Sequence, residues 1–169
     1  GEELGLPQAE IAFEDLQDPE AIANWPLTLG RDGARTPMPW LNDNTYAGFS
    51  EARPWLPLGQ GHTALAASSQ YGQPLSVLEF TRLVIAFRKS SAALRIGDIR
   101  FPDTGSDLLA LERTWKSERV LCLFNLSSGA VELPPGLADG CAPALASDGK
   151  VEIPRTLAPF GVWIGKGEG

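Results

Sequence analysis

A chain of 169 residues with 43% apolar residues is long enough for a core of its own and is not disordered by composition. Its net charge of −7 argues against nucleic acid as a partner, because phosphate binding needs clustered Lys and Arg, and no apolar run approaches the ~20 residues of a membrane helix. With 18 glycines and 14 prolines, about a fifth of the chain against a usual share of roughly 12%, much of it is expected to be loop and turn.

The chain opens at Gly1 with no signal-peptide pattern, which reads as a processed product or a fragment. Residues 1–72 show little periodicity. Pro7, Pro19, Pro26, Pro37, Pro39, Pro54 and Pro57 interrupt any long helix, leaving a short one near Pro19 with Asp18 as its N-cap. So long a loop inside a compact domain is functional or leans on another structure. The lone histidine, His62, sits between glycines (GQGHT) and is expected at the surface. One histidine excludes a His-rich zinc site and the usual triad base, and no metal is expected. Cys122 lies in an apolar run (VLCLF) and reads as a buried free thiol, which fits a reducing, cytoplasmic setting.

Residues 73–95 read as one helix. Ser76-x-x-Glu79 is a capping box behind Pro74, and Phe80, Leu83, Val84 and Phe87 share a face at 3.6-residue spacing. Residues 97–165 read as short strands at 99–101, 108–114, 119–125, 130–133, 151–153 and 161–164, separated by turns such as Asp148-Gly149. Their spacing predicts an antiparallel sheet or small sandwich. The run LCLFNL predicts a strand covered on both faces, and the tail from residue 165 onward is expected to fray.

Chemistry concentrates in GRDGARTPMPW, from Gly30 to Trp40. Asp32-Gly33 favours a tight turn with Arg35 projecting from its far side, and an arginine held near an aromatic ring suits bidentate recognition of a carboxylate. Trp25, Trp40 and Trp55 in the same region suit stacking on sugar faces. The same residues equally suit bracing the loop through ion pairs and packing, and the residues alone leave both readings open. Glu2, Glu3, Glu14, Asp15 and Asp18 supply carboxylates, but spacing does not put any two of them across one glycosidic bond. No P-loop, dinucleotide fingerprint, nucleophile elbow or metalloprotease motif is present, and no cofactor is expected.

Four stretches carry a resemblance: GEELGLP at the start, FEDLQDP followed by GRDGARTPMPW, PLSVLEFTRLVIAFRKSSAALRIGDI from Pro74, and LAPFGVWIG from Leu157. In this order they resemble the C-terminal part of an α-glucosidase or oligo-1,6-glucosidase of glycoside hydrolase family 13, the α-amylase superfamily. The resemblance implies the C-terminal end of a (β/α)8 TIM barrel plus an all-β antiparallel sandwich. Residues 1–95 would supply the loop after strand eight and the last helix, and residues 96–169 the sandwich. A complete barrel takes roughly 250 residues, so the rest of it would precede this chain as its structural partner.

Family members cleave α-glucosidic bonds with retention, one carboxylate attacking and another serving as acid, then base. The resemblance puts these groups ahead of Gly1, so no residue here is assigned as catalytic, and this piece alone would be inactive. It makes Arg35 a substrate-binding residue that pairs with an aspartate of an early barrel loop and closes the subsite for terminal glucose. Arg31, Asp32 and Trp40 would support the loop. Small α-glucosides of the maltose or sucrose type are the implied substrates, with no nucleic acid or membrane partner. Asn24-Trp25-Pro26 departs from the aromatic that relatives often carry before the tryptophan, which bears on substrate preference. A transglycosylase or sucrose isomerase of the same family, or a non-catalytic β module, are the competing readings.

Overall fold

The computed structural model describes residues 1–28, 30–105 and 107–168. It divides into two compact units, Gly1–Thr81 and Arg82–Gly169, and the division falls within the longest helix. No helix among the described residues is long and apolar enough to cross a membrane.

The first unit contains two short helices, α1 (Pro19–Asn24) and α2 (Ala67–Gln70), joined by irregular chain and single 3-10 turns. Asp18 caps α1 by accepting from the Glu20 N–H, with Pro19 where a missing N–H costs nothing. The apolar cluster is small: Ile11, Leu16, Ala21 and Leu56. Buried polar side chains tie the loops where that cluster ends. Gln70 donates to Leu4 O (2.9 Å) and Leu65 O (2.8 Å) and accepts from Leu78 N (3.1 Å), so one amide joins three segments.

The expected single helix over 73–95 is two: α3 (Val77–Ser90) and α4 (Ala92–Ile96). Ser91 causes the break. Its backbone is extended and its hydroxyl accepts from Leu94 N, capping a fresh helix instead of continuing the old one. At the start of α3, Glu79 N donates to Ser76 Oγ, and the Glu79 carboxylate accepts from Gly72 N (3.0 Å).

The second unit is built on an antiparallel five-stranded sheet in the order β1-β2-β3-β7-β5: β1 (Asp98–Arg100), β2 (Leu108–Trp115), β3 (Glu118–Asn125), β7 (Val162–Glu168) and β5 (Cys141–Ala146). A small pair, β4 (Val131–Glu132) with β6 (Thr156–Leu157), stands apart from it. The central strand β3 is covered on both sides. Leu121 and Leu123 enter a cluster with Leu108, Ala110, Leu157 and Trp163, while Val120 and Cys122 meet Ile164 of β7 and Ala93, Val84 and Phe87 from the helices. That division follows from the two-residue period of a strand, and it explains the unbroken apolar run. Cys122 and Cys141 are both free and buried.

Three strand expectations are corrected. Residues 151–153 form no strand; the Glu152 carbonyl is taken by the Trp163 indole N–H (2.9 Å), and pairing shifts to Thr156–Leu157. Residues 141–146 do form one, despite Pro143, because it lies on the sheet edge with a register shift between Pro143 and Leu145. The tail does not fray through residue 168: Leu121 pairs with Gly165 and Glu118 with Glu168, continuing the ladder to the end of β7. Gly169 of that tail lies outside the described residues.

Candidate functional site

The GRDGARTPMPW segment is anchored by two buried aspartates. Asp32, 1% exposed, accepts from Gln17 N (2.6 Å) and Asp18 N (2.7 Å), both on its Oδ2. Asp18, 2% exposed, accepts from Arg31 N (2.9 Å), Arg31 Nε (3.1 Å) and Arg31 Nη2 (3.3 Å). Each carboxylate therefore grips the segment that carries the other, and the 3-10 turn Asp32–Ala34 is locked onto the start of α1. The Arg31 guanidinium, helped by its own backbone N–H, holds the Asp18 carboxyl well down, from an ordinary 3.8 to about 2. Gly33 belongs to the same lock: its carbonyl accepts from Ala9 N (3.0 Å), and a Cβ there would lie 2.1 Å from Ala9 O.

Arg35 directly follows this turn and is exposed. Among the described residues its guanidinium meets no carboxylate. Its neighbours Ala34 and Thr36 line a concavity of about 470 Å³ together with Pro7, Gly33 and His62. Trp40 is 52% exposed; its backbone N–H donates to Ala47 O (2.8 Å) and its carbonyl accepts from Ser68 N (3.0 Å), so the ring stands on a fixed base. Trp55 is exposed, and Trp25 lies 5.8 Å from Phe13 in a tilted ring pair. Asp15 is not paired with another carboxylate; it meets Arg53 (3.0 Å).

His62 corrects its expected surface position. It is 1% exposed, with Nε2 2.9 Å from Pro7 O and Nδ1 3.3 Å from Thr36 Oγ1. A carbonyl oxygen only accepts, so Nε2 carries a proton, and in the neutral ring Nδ1 receives the threonine hydroxyl. The ring thus joins the N-terminal segment to the residue after Arg35. Gly59 makes the space, because a Cβ there would lie 2.4 Å from His62 Cε1. Sequence reasoning missed this residue; the glycines around it are the one signal that pointed to close packing. Among the described residues no three His, Cys, Asp or Glu side chains gather as a metal set.

Residues 1–97 match the family model described as Alpha amylase, catalytic domain. Over 138 residues the chain is 50% identical to a probable alpha-glucosidase of Rhizobium meliloti (strain 1021), in an alignment covering 79% of this chain and 24% of that protein. Its fold superposes on the crystal structure of an alpha-glucosyl transfer enzyme, XgtA, with a TM-score of 0.83 and 41% identity, over 99% of this chain and 32% of that one. It also superposes on the trehalulose synthase MutB from Pseudomonas mesoacidophila MX-45, with a TM-score of 0.79 and 28% identity, over 98% of this chain and 34% of that one. The chain spans about a quarter of the curated relative and about a third of each solved structure. With more than half of its residues inside the catalytic-domain model and its loop motif built as a rigid arginine-bearing turn, this chain belongs to the alpha-amylase family, glycoside hydrolase family 13.

Proposed function

We propose that this chain is the C-terminal part of a retaining α-glucosidase that releases terminal glucose from small maltose-like or sucrose-like sugars. The observation that carries the reading is the turn around Asp32. Two buried carboxylates are engaged in fixing it, Arg31 is paired with one of them, and Arg35 is left exposed, without a carboxylate among the described residues, beside a concavity. A guanidinium held in this way can take a carboxylate and sugar hydroxyls together. In this reading Arg35 closes the terminal-glucose subsite, Arg31 and Asp32 hold the turn, and Trp40 supports its rim. The catalytic carboxylate pair belongs to barrel strands outside these residues, so the piece alone is inactive. Residues 1–95 are the end of the barrel and residues 96–169 a C-terminal β-sandwich, the latter reading supported by the apolar cluster between the main sheet and Leu157 and Val131 of the small pair. The protein works in the cytoplasm, which the two free buried thiols support.

The solved structures of a glucosyl transfer enzyme and a trehalulose synthase support a second reading, in which a sugar rather than water intercepts the glucosyl intermediate. Kinetics on the full-length protein test both. Arg35→Ala is expected to lower kcat/KM for maltose by about 2–5 kcal/mol of transition-state binding, as expected for removing one partner of a desolvated charge pair. An unchanged kcat/KM sinks the role of Arg35. Oligosaccharide products in place of free glucose decide for transfer.

A further inference from the structure

We infer that the second unit carries a saccharide-binding pocket between β5, the 148–156 strap and the start of β7, and that it takes one glucosyl ring of a neutral oligosaccharide. The cavity measures about 170 Å³. That is below the ~300–1,000 Å³ of pockets for drug-sized ligands and suits a single ring. Its walls combine apolar and polar groups. Buried Leu157 and Trp163 back its apolar wall, and Asp148, Lys150, Glu152 and Arg155 bring charge.

Two features select the ligand. First, two carboxylates and two cations leave the lining without net charge, which suits a neutral molecule better than a phosphate or a sulfate. Second, the lining offers both donors and acceptors. Lys150 and Asp148 pair with each other (3.3 Å), whereas among the described residues Glu152 and Arg155 have no side-chain partner. Ser147 Oγ accepts from Val162 N (2.9 Å) and keeps its own proton free to donate. A sugar hydroxyl donates and accepts at once, so a pyranose is the small neutral molecule that uses all of these groups.

An aromatic ring stands beside this pocket. Ala158 and Gly161 line it, and between them Phe160 is 67% exposed with φ 52°. A bulky residue in the left-handed region persists only where its surroundings over-determine it. Asn125, 2% exposed, does so by donating to Ala158 O (2.8 Å) and Leu157 O (3.2 Å), while Phe160 N donates to Ser127 O (3.2 Å). The backbone that carries this exposed ring is thus fixed, which leaves the ring available as a stacking face for a sugar. The strap's Pro154–Thr156 stretch also walls a wider concavity, so a longer saccharide has room to continue past Arg155.

That the ring is an α-glucosyl unit rests on the proposed function. The test is calorimetric titration of the full-length protein with maltotriose whose glycosidic oxygens are replaced by sulfur, so that it binds without being cleaved, compared with Glu152→Gln/Arg155→Ala and with Phe160→Ala. All three positions are exposed, so the variants are expected to fold. A binding component that weakens roughly tenfold or more in both variants, with kcat/KM for maltose unchanged, supports the pocket. Maltotriose heats identical in all three proteins overturn it, and so does a preference of the Arg155-dependent component for glucose 1-phosphate. Arg155-dependent maltotriose binding in a protein that cleaves no α-glucoside overturns the enzymatic reading and leaves the pocket standing.

Discussion

Asp32 carries both of its backbone hydrogen bonds on one oxygen, and this makes a sharp prediction. Asp32→Asn can present its amide oxygen to Gln17 N and Asp18 N and keeps both bonds. Asp32→Ala leaves two donors without an acceptor in a buried place and is expected to cost about 2–3 kcal/mol, read from the midpoint of urea unfolding. If the two variants lose the same stability, the hydrogen bonds are not what holds the turn. At this scale the sequence was legible where partners are named by local motif. Asp18 and Pro19 read directly as a helix start, and they are one. His62 was not legible as a tie between segments, because its partner Pro7 is 55 residues away and the glycines of GQGHT hint only at close packing.

At the scale of elements, the network at Asn125 joins the end of β3 to the turn before β7. Asn125 Nδ2 reaches Gly129 O (2.7 Å) as well as the two carbonyls of the turn, and its Oδ1 accepts from Ser127 N (2.9 Å). Asn125→Ala is expected to destabilise the second unit by about 1–3 kcal/mol, and Asn125→Asp to be nearly as harmful, since it puts a charge opposite carbonyl oxygens. Thermal unfolding followed by circular dichroism decides; a shift of Tm under about one degree for both variants removes the network from the account. β2 and β3 were legible because apolar residues alternate or run together through them. β5 was hidden by Pro143 and by alanines, whose strand preference is weak, and it forms because β7 supplies a ladder for it. Val151 and Ile153 look like a strand by composition yet have no neighbouring strand to pair with.

Across the whole molecule, each unit contains a carboxyl that folding makes more acidic. Asp18 falls from 3.8 to about 2 beside Arg31, and Glu118 falls from 4.5 to about 2, where Ala93 N and Lys166 Nζ (3.1 Å) hold its charged form. A carboxyl with a lower pKa folded than unfolded stabilises the native state above its unfolded value and loses that contribution as the pH falls through its folded value. Urea midpoints are therefore expected to hold steady above about pH 5 and to fall between about pH 4 and pH 2. Glu118→Gln is expected to flatten part of that fall, and an unaltered slope rules Glu118 out as a contributor. The antiparallel sheet was legible in the spacing of the strands, whereas the build of the first unit was not. A long loop region with a small apolar cluster gives no periodic signal, because buried polar groups such as Gln70 and Asp32 do the joining that a larger core would otherwise do.

The one histidine of this chain is held at both ring nitrogens. In the 169-residue polypeptide its imidazole is a single, uncrowded nuclear-spin label inside the loop region. A slowly exchanging Nε2–H resonance, correlated to one nitrogen, would report in one line of a spectrum whether Pro7 and Thr36 are joined. That same line, followed through a titration with sugar, registers any rearrangement of the Arg35 turn without a mutation, a dye or a cleavage assay.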